Sequence, residues 1–332
     1  MNYIQKDLLT KLGLKIGHYT DLNNLTGLTA FISKSGADIG IDIRGSNTGT
    51  FNTPAYDPKA AGKLAHAVVL TGGSTFGLSS AVGAIKELVK QGIGNKTRAG
   101  LIPETTGAVI YDIAVGKNIS PGESEGSQAV LAASDNLPEQ GNIGVGTGAT
   151  LGKWYKGAYM KGGFGIGVSY LPHNIIVAAF TVVNALGDAI NPVTKKFYSK
   201  VGGYHEIHEQ LGDKITHLSG TMDLSGNTTL TVIATNVAMN KTQLMKVAEF
   251  THDGYARALH PIHTNMDGDV VFAISSHDGE QIKLDASEIT ITDMIGMAAQ
   301  DAAMQAINNA VLNAKTIENI KSASDIYPGI KL

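Results

Sequence analysis

The stretch LSGNTTLTVIATN, Leu224 to Asn236, passes from a turn into a strand of alternating residues, with two threonines at the junction. Glycine and asparagine before a β-branched run are typical of a loop that ends where a strand begins. The same residues allow a second interpretation, in which the backbone is cut between Asn227 and Thr228. The stretch therefore predicts a strand and leaves two roles open for Thr228.

The second interpretation has a chemical basis. An ordinary threonine hydroxyl is a weak nucleophile, but a threonine at a chain terminus has its own base, an α-amine with a pKa of about 7.7 to 8.0. Such a terminus has to be made by cleavage: the Thr228 hydroxyl attacks the carbonyl of Asn227, and water then opens the ester. The polar segment 187–227 before the cut is interpreted as a long excursion or exposed linker.

Helical and strand patterns are mixed along the whole chain. We predict helices at about 78–91, 128–134 and 295–312, and a further helix that Asn240 caps together with Gln243. Strands are predicted at 28–33, 39–43, 67–71, 108–113, 163–170, 175–184, 229–235 and 270–275. Such a mixture favours stacked layers of sheet and helix, an α/β fold. We expect one domain over residues 1–332, with its forty glycines mostly in tight turns.

Composition narrows the possible partners and the chemistry. Hydrophobic residues make up 43% of the 332 residues and charged residues 17%, which predicts a well-filled core. The net charge of -3 is spread without basic blocks, so we expect neither nucleic acid nor an anionic membrane as a partner. The absence of cysteine excludes disulfides and thiolate nucleophiles. No signal-like or membrane-spanning segment is visible, so we expect a cytoplasmic protein.

Several short patterns resemble known site motifs but lack the surrounding structure those motifs need. GESEG around Ser124 follows a loop where a nucleophile elbow needs a strand, and GVGTGA at 144–149 fits close backbone packing better than a dinucleotide site. The histidines and acid of YHEIHE, His205, His208 and Glu209, have the wrong spacing for a zinc protease. We interpret them as surface residues.

HTNMDGD, at 263–269, resembles a calcium loop, but His263 stands at the first ligand position and Ile274 where a bidentate glutamate belongs. We therefore disfavour calcium. Asp267 and Asp269, separated by one glycine directly before a predicted strand, either form an ordinary turn or orient one hydroxyl together. Spacing alone links neither acid to Thr228.

Eight blocks of the chain, in order, resemble the signature blocks of the peptidase family that contains the L-aminopeptidase/D-esterases, the β-aminopeptidases and the 6-aminohexanoate (nylon) oligomer hydrolases. These blocks are LKIGHYTD, IDIRGSNTGT, VVLTGGSTFGLSSAVG, GAVIYDI, GNIGVGTGATLGK, VVNALGD, GNTTLTVIATN and HTNMDGDVVFA. The resemblance extends over nearly the whole chain. The chain has threonine at 228, where the β-aminopeptidases have serine. In this respect it resembles the oligomer hydrolases.

The resemblance implies an N-terminal-nucleophile hydrolase with an αββα four-layer sandwich, cut between Asn227 and Thr228 into 1–227 and 228–332. It implies Thr228 as the nucleophile and Asp267 and Asp269 as the acids that activate it. Three further site residues are implied: Lys153 as an active-site lysine, Asn184 as an oxyanion donor, and Tyr111 as a residue that binds the substrate amide. Asn265 replaces an acid of the oligomer hydrolases.

The resemblance further implies a small peptide or amide substrate, no metal or organic cofactor, and a homotetramer of cleaved protomers. It leaves open whether the enzyme cuts inside ω-amino-acid oligomers or acts as an aminopeptidase or β-aminopeptidase on short peptides. Two alternatives rank lower. One is acetyl transfer of the kind that ornithine acetyltransferases perform, and the other is a scaffold that never cleaves.

Overall fold

The computed structural model describes residues 6–61, 63–153, 159–192, 194–198 and 226–326. Helices within these ranges are α1 Leu8–Leu12, α2 Ser74–Gly77, α3 Ser79–Lys90, α4 Glu123–Leu131, α5 Lys241–Ala258, α6 Glu288–Asn313 and α7 Ala323–Ile326. The strands are β1 Lys15–Asp21, β2 Thr26–Ile43, β3 Thr50–Phe51, β4 Ala65–Thr71, β5 Asn95–Thr97, β6 Gly100–Ile102, β7 Thr105–Val109, β8 Thr150–Leu151, β9 Met160–Lys161, β10 Gly163–Leu171, β11 Ile175–Asn184, β12 Asp188–Ala189, β13 Thr228–Thr235, β14 Leu259–His260 and β15 Val270–Ser276.

The long strand β2 belongs to two packed sheets at once. Its first part pairs with β1 and β4, and its last part, 37–43, pairs antiparallel with β15. An irregularity in pairing between Ile32 and Ala37 separates the two parts. The main strand path is β10-β11-β13-β15-β2-β4-β7-β3, so β2 is the strand through which one sheet continues into the other. A bulge of this kind bends a strand and lets it change sheets.

Three separate hydrophobic clusters define four layers. Alternate residues of β11 face two of them: Val177 and Ala179 pack toward α5 and α6, whereas Ala178 and Phe180 pack toward the second sheet, where the Phe180 ring contacts that of Phe31. The third cluster lies between the second sheet and helices α3 and α4. Because both faces of β11 are covered, its sequence is a nearly continuous apolar run rather than an alternating one. The order of layers is helix, sheet, sheet, helix, which confirms the predicted αββα sandwich.

Glycines in β10 let α6 approach the sheet at backbone distance. A Cβ at Gly165 would lie 2.1 Å from the carbonyl oxygen of Ala306, and one at Gly167 would lie 2.1 Å from that of Ala302. Strand residues two positions apart therefore lie opposite helix residues four positions apart, so one face of β10 fits one face of α6. These glycines serve packing inside an element, so the prediction that places glycines mostly in tight turns is wrong for β10.

Most predicted elements are confirmed, with shifted ends. The strand predicted at 108–113 ends at Val109, because the chain then turns so that Asp112 accepts the N–H of Gly73. Helix α4 begins at Glu123, where the Glu125 side chain accepts the N–H of Gly122. Helix α6 begins at Glu288, after the cap Ser287. The Asn240 cap with Gln243 is confirmed in both directions.

The predicted exposed linker is wrong where the structure describes it. β12 pairs with β14, and Ala189 is fully buried. Tyr198 is buried as well, and its hydroxyl donates to Asn308 Oδ1. The remainder of that segment, including His205, His208 and Glu209, lies outside the described residues. Among the helices that the structure describes, none combines the length and apolar composition needed to cross a bilayer.

Candidate active site

Thr228 opens β13 between an antiparallel neighbour, β11, and a parallel neighbour, β15. Its side chain is buried, and the hydroxyl lies 2.5 Å from the carbonyl oxygen of Asn227, to which it donates. The same oxygen accepts the backbone N–H of Gly268 at 2.7 Å. The carbonyl of the peptide bond between Asn227 and Thr228 therefore has the Thr228 hydroxyl beside it and an N–H donor that polarises it.

The two acids lie beside this bond and are fully buried. Asp269 Oδ1 accepts the N–H of Thr229 at 2.6 Å, and its Oδ2 lies 2.8 Å from His263 Nδ1. Asp267 Oδ2 accepts the N–H and the hydroxyl of Thr264, at 2.9 and 2.6 Å. Burial, and next the charge of Asp269, raise the pKa of Asp267. The hydrogen bond of the Thr228 hydroxyl goes to the Asn227 carbonyl rather than to either acid.

A neighbouring segment holds the Asp-Gly-Asp turn in place. The N–H groups of Arg44 and Gly45 donate to the carbonyl of Asp269, both at 3.1 Å, and the N–H of Asn47 donates to that of Asp267 at 2.9 Å. A Cβ at Gly268 would lie 2.8 Å from Thr228 Oγ1 and 2.7 Å from the Asn47 carbonyl oxygen. Glycine at 268 is therefore required for the hydroxyl and the turn to meet.

Asn184, at the end of β11, is paired in register with Thr228. Its Oδ1 accepts Thr150 N–H and Lys153 Nζ, both at 3.0 Å, which fixes the orientation of the amide. Its Nδ2 then donates to the Gly226 carbonyl at 3.0 Å and to the Tyr111 carbonyl at 3.2 Å. An amide N–H fixed in this way is the type of donor that stabilises an oxyanion.

Lys153 is partly buried and donates to both the side-chain and the main-chain oxygen of Asn184, at 3.0 Å each. Burial lowers its pKa to about 7, against the opposing attraction of Asp267 and Asp112. A lysine with this pKa gains and loses its proton near neutral pH. Its hydrogen bonds in the site go to Asn184 and hold the side-chain amide of that residue in one orientation.

Tyr111 enters the site with its backbone and its ring. Its carbonyl accepts from Asn184, and its ring packs against Gly226, which has a φ of +83°. The structure thus brings all seven residues singled out from the sequence around one peptide bond. The bond joins Asn227 and Thr228, and the other five residues surround it.

Sequence reasoning missed His263, which had been weighed only as a calcium ligand. Its Nδ1 contacts Asp269, its ring lies edge-on to His252 with 4.8 Å between centroids, and its backbone has a φ of +56°. A positive φ at a non-glycine residue costs free energy and is often retained at functional sites. In the sequence, only its position in HTNMDGD, six residues before Asp269, indicated that His263 lies near the acids.

Lys161 was missed too, since a lysine between methionine and glycines looks like a surface charge. It is fully buried, and Nζ donates to the carbonyls of Gly146, Ala149 and Gly162 at 2.8 to 2.9 Å. Burial lowers its pKa to about 7 and raises that of nearby Asp112 to about 6. It ties the segment 146–149, which leads into β8, to Gly162 between β9 and β10.

Two of the other motifs follow the predicted alternatives. Ser124 lies exposed on α4 and accepts from Gln128. A Cβ at Gly146 would lie 2.4 Å from Phe164 N, which confirms close backbone packing for GVGTGA. Within the described ranges, no three His, Asp or Glu side chains are grouped so as to hold a metal ion.

Comparisons with known proteins show which family and which fold the chain resembles. A family model, peptidase family S58, matches residues 10–324. An uncharacterized aminopeptidase of Mycobacterium bovis is 31% identical over 340 residues, covering 96% of each chain. The 6-aminohexanoate-oligomer endohydrolase of Paenarthrobacter ureafaciens is 27% identical over 277 residues, covering 80% of this chain and 74% of the relative. The solved L-aminopeptidase D-Ala-esterase/amidase of Ochrobactrum anthropi, a variant of the Ntn hydrolase fold, has a TM-score of 0.68 and 19% identity, covering 96% of this chain and 90% of its own.

Proposed function

This chain belongs to peptidase family S58 and is an amide-bond hydrolase, and we propose that it works through Thr228 after cutting its own backbone before that residue. The observation that supports this most directly is the Asn227 carbonyl oxygen, which receives the Thr228 hydroxyl at 2.5 Å and the Gly268 N–H at 2.7 Å. A nucleophile and an oxyanion donor thus converge on one peptide bond.

Self-cleavage begins when Thr228 Oγ attacks the Asn227 carbonyl carbon. The C–O bond forms, negative charge develops on the carbonyl oxygen, and the N–H of Gly268 stabilises it. The C–N bond then breaks and the hydroxyl proton is transferred to the departing nitrogen. Water opens the resulting ester, which leaves a carboxylate on Asn227 and a free amine and hydroxyl on Thr228.

Catalysis by the cleaved enzyme repeats this sequence with a substrate amide. The α-amine of Thr228 accepts the hydroxyl proton and passes it to the substrate nitrogen as the C–N bond breaks and the acyl group is transferred to Oγ, and water then hydrolyses the ester. Asn184 Nδ2, which donates to the Gly226 carbonyl before cleavage, becomes available to a carbonyl oxygen of the substrate once that segment departs. Asp267 and Asp269 favour the protonated amine through their charge, and His263 and Thr229 hold Asp269 in place.

We propose that the substrates are peptide-like or ω-amino-acid oligomer amides of the 6-aminohexanoate type, the substrate in the name of one relative. The second candidate is an aminopeptidase acting on short peptides, which the M. bovis relative favours by its higher identity. Cleaved protomers assembled as a homotetramer, a cytoplasmic location and the absence of a cofactor stay predictions.

The test is intact mass spectrometry with N-terminal sequencing of purified protein. We expect two fragments, 1–227 and 228–332, the second beginning Thr-Thr-Leu, and Thr228→Ala should remain one full-length chain without hydrolytic activity. Thr235→Ala, at the far end of the same strand, is the matched control and should cleave normally. Substrate panels of 6-aminohexanoate oligomers and short peptides then separate the two candidates. A single uncut chain that hydrolyses amides at full rate would contradict the proposal.

A further inference from the structure

The residue two positions before Thr228 lies in a site of its own. The carbonyl oxygen of Gly226 accepts a hydrogen bond from Asn184 Nδ2 at 3.0 Å, and the Gly226 α-carbon lies against the Tyr111 side chain. A Cβ built at residue 226 would lie 2.0 Å from Tyr111 Cγ and 2.2 Å from Tyr111 Cβ. A change in χ1 of Tyr111 relieves only the first of these contacts, since the Cβ of Tyr111 is fixed by its backbone.

The proposed chemistry connects this site to substrates. The ester that self-cleavage makes and the ester that a substrate makes are the same linkage on the same oxygen, Thr228 Oγ. In both, the acyl oxygen lies next to the Gly268 N–H, so the acyl group leads away along the path that Asn227 and Gly226 take before cleavage. The segment 226–227 therefore marks the acyl side of the substrate site.

We propose that Tyr111 and Asn184 form a subsite that accepts only an unsubstituted carbon at the place of the Gly226 α-carbon, which makes the enzyme selective for acyl groups unbranched there. This inference rests on the proposed function of Thr228. In a peptide donor the subsite selects glycine as the second residue before the scissile bond. In a straight-chain ω-amino acyl group of sufficient length, a methylene takes the same place.

Two properties of the subsite work together. The backbone of Gly226 has a φ of +83°, a conformation that L-residues rarely adopt, and a Cβ in that conformation meets Tyr111. The carbonyl contact to Asn184 Nδ2 favours a glycyl peptide over a plain methylene chain, because the methylene chain has no acceptor at that atom. The subsite thus excludes side chains through steric contact with Tyr111. Among unbranched donors it favours those with a carbonyl that accepts from Asn184 Nδ2.

The experiment compares three anilide donors with the cleaved enzyme: acetyl-Gly-Asn-anilide, acetyl-L-Ala-Asn-anilide and N-acetyl-6-aminohexanoyl-anilide. We expect kcat/KM for the glycyl donor to exceed that for the alanyl donor by roughly 10-fold to 100-fold, the usual consequence of forcing one extra carbon into a filled site. The 6-aminohexanoyl donor should also exceed the alanyl donor. Equal kcat/KM for the glycyl and alanyl donors would overturn the subsite.

Variants of Tyr111 assign the selectivity to its atoms. Tyr111→Phe keeps ring and Cβ and should keep the glycyl preference; Tyr111→Ala keeps the Cβ and should keep part of it; Tyr111→Gly should abolish it. An unchanged preference in Tyr111→Gly would overturn the assignment. Should Tyr111→Gly fail to fold, Gly226→Ala in an otherwise unchanged chain replaces it, and normal self-cleavage of Gly226→Ala would overturn the subsite.

Intact mass spectrometry during turnover separates this inference from the proposal beneath it. An acyl adduct on the 228–332 fragment from the glycyl donor, and much less from the alanyl donor, supports both. Adducts of equal amount from both donors overturn the subsite and leave Thr228 as the nucleophile. Hydrolysis of the donors at the native rate by Thr228→Ala contradicts the role of Thr228 itself.

Discussion

Replacing Asp269 with asparagine removes one charge from the site and leaves its volume nearly unchanged. In the native chain one oxygen accepts Thr229 N–H at 2.6 Å and the other lies 2.8 Å from His263 Nδ1. An asparagine has only one oxygen, so its NH₂ group must face one of these two partners. A hydrogen bond to a charged group contributes about 1.5 to 3 kcal/mol, and each 1.4 kcal/mol is about tenfold in rate. Asp269→Asn should therefore slow self-cleavage roughly 10-fold to 150-fold.

The assay follows freshly purified precursor on denaturing gels and measures the fraction converted to the two fragments over time. Asp278→Asn is the matched control, because Asp278 also accepts a backbone N–H and a hydroxyl, from Ser35 and Ser33, but lies outside the site. The control should cleave at the native rate. His263→Ala should slow cleavage less than Asp269→Asn, since the carboxylate keeps Thr229 N–H. Native cleavage rates in Asp269→Asn, with folding confirmed by circular dichroism, would refute the reasoning.

Three further outcomes are expected. Hydrolysis by the cleaved enzyme should rise with pH as the Thr228 α-amine loses its proton, above the ordinary pKa of about 7.7 to 8.0 because the two acids favour the protonated form, whereas self-cleavage, which has no free amine, should lack that limb; identical pH–rate profiles would contradict this. Burial raises the pKa of Asp267, so its protonation relieves a cost of folding as pH falls, and acid should inactivate the enzyme reversibly before circular dichroism detects unfolding. Lys161→Met should lower stability by about 2 to 5 kcal/mol, because three carbonyl oxygens lose their donor, while exposed Lys15→Met leaves the melting temperature unchanged.

The elements that the sequence predicted best are those whose pattern is local. β11 is a long β-branched run that matches the predicted strand at 175–184, and β13 differs from its prediction by one residue at its start. The cap at Asn240 is a local exchange of hydrogen bonds between residues three apart. Such signals need no partner elsewhere in the chain, which is why they are visible without a structure.

The parts of the site that stayed hidden depend on partners far away in sequence. Nothing near Asp269 indicates that it binds the N–H of Thr229, forty residues earlier. Lys161 looks exposed in sequence but is buried, and two of its three carbonyl partners, Gly146 and Ala149, lie 15 and 12 residues earlier in the chain. The site residues themselves came from a family resemblance, and spacing alone had left Asp267 and Asp269 unconnected to Thr228. Burial and hydrogen-bond pairing between distant segments decide these features.

Topology explains why a cut before Thr228 is compatible with an intact fold. The start of β13 meets the end of its antiparallel neighbour β11 and the start of its parallel neighbour β15, so Asn184 and the Asp-Gly-Asp turn reach Thr228 from opposite sides. Cleavage at this edge breaks no ladder within β13. β13 and β15 of the second fragment would stay paired with β11 and β2 of the first, and the cluster between the sheets contains residues of both. The two fragments should therefore copurify under native conditions, and only the peptide before Thr228 has to move for a substrate to enter.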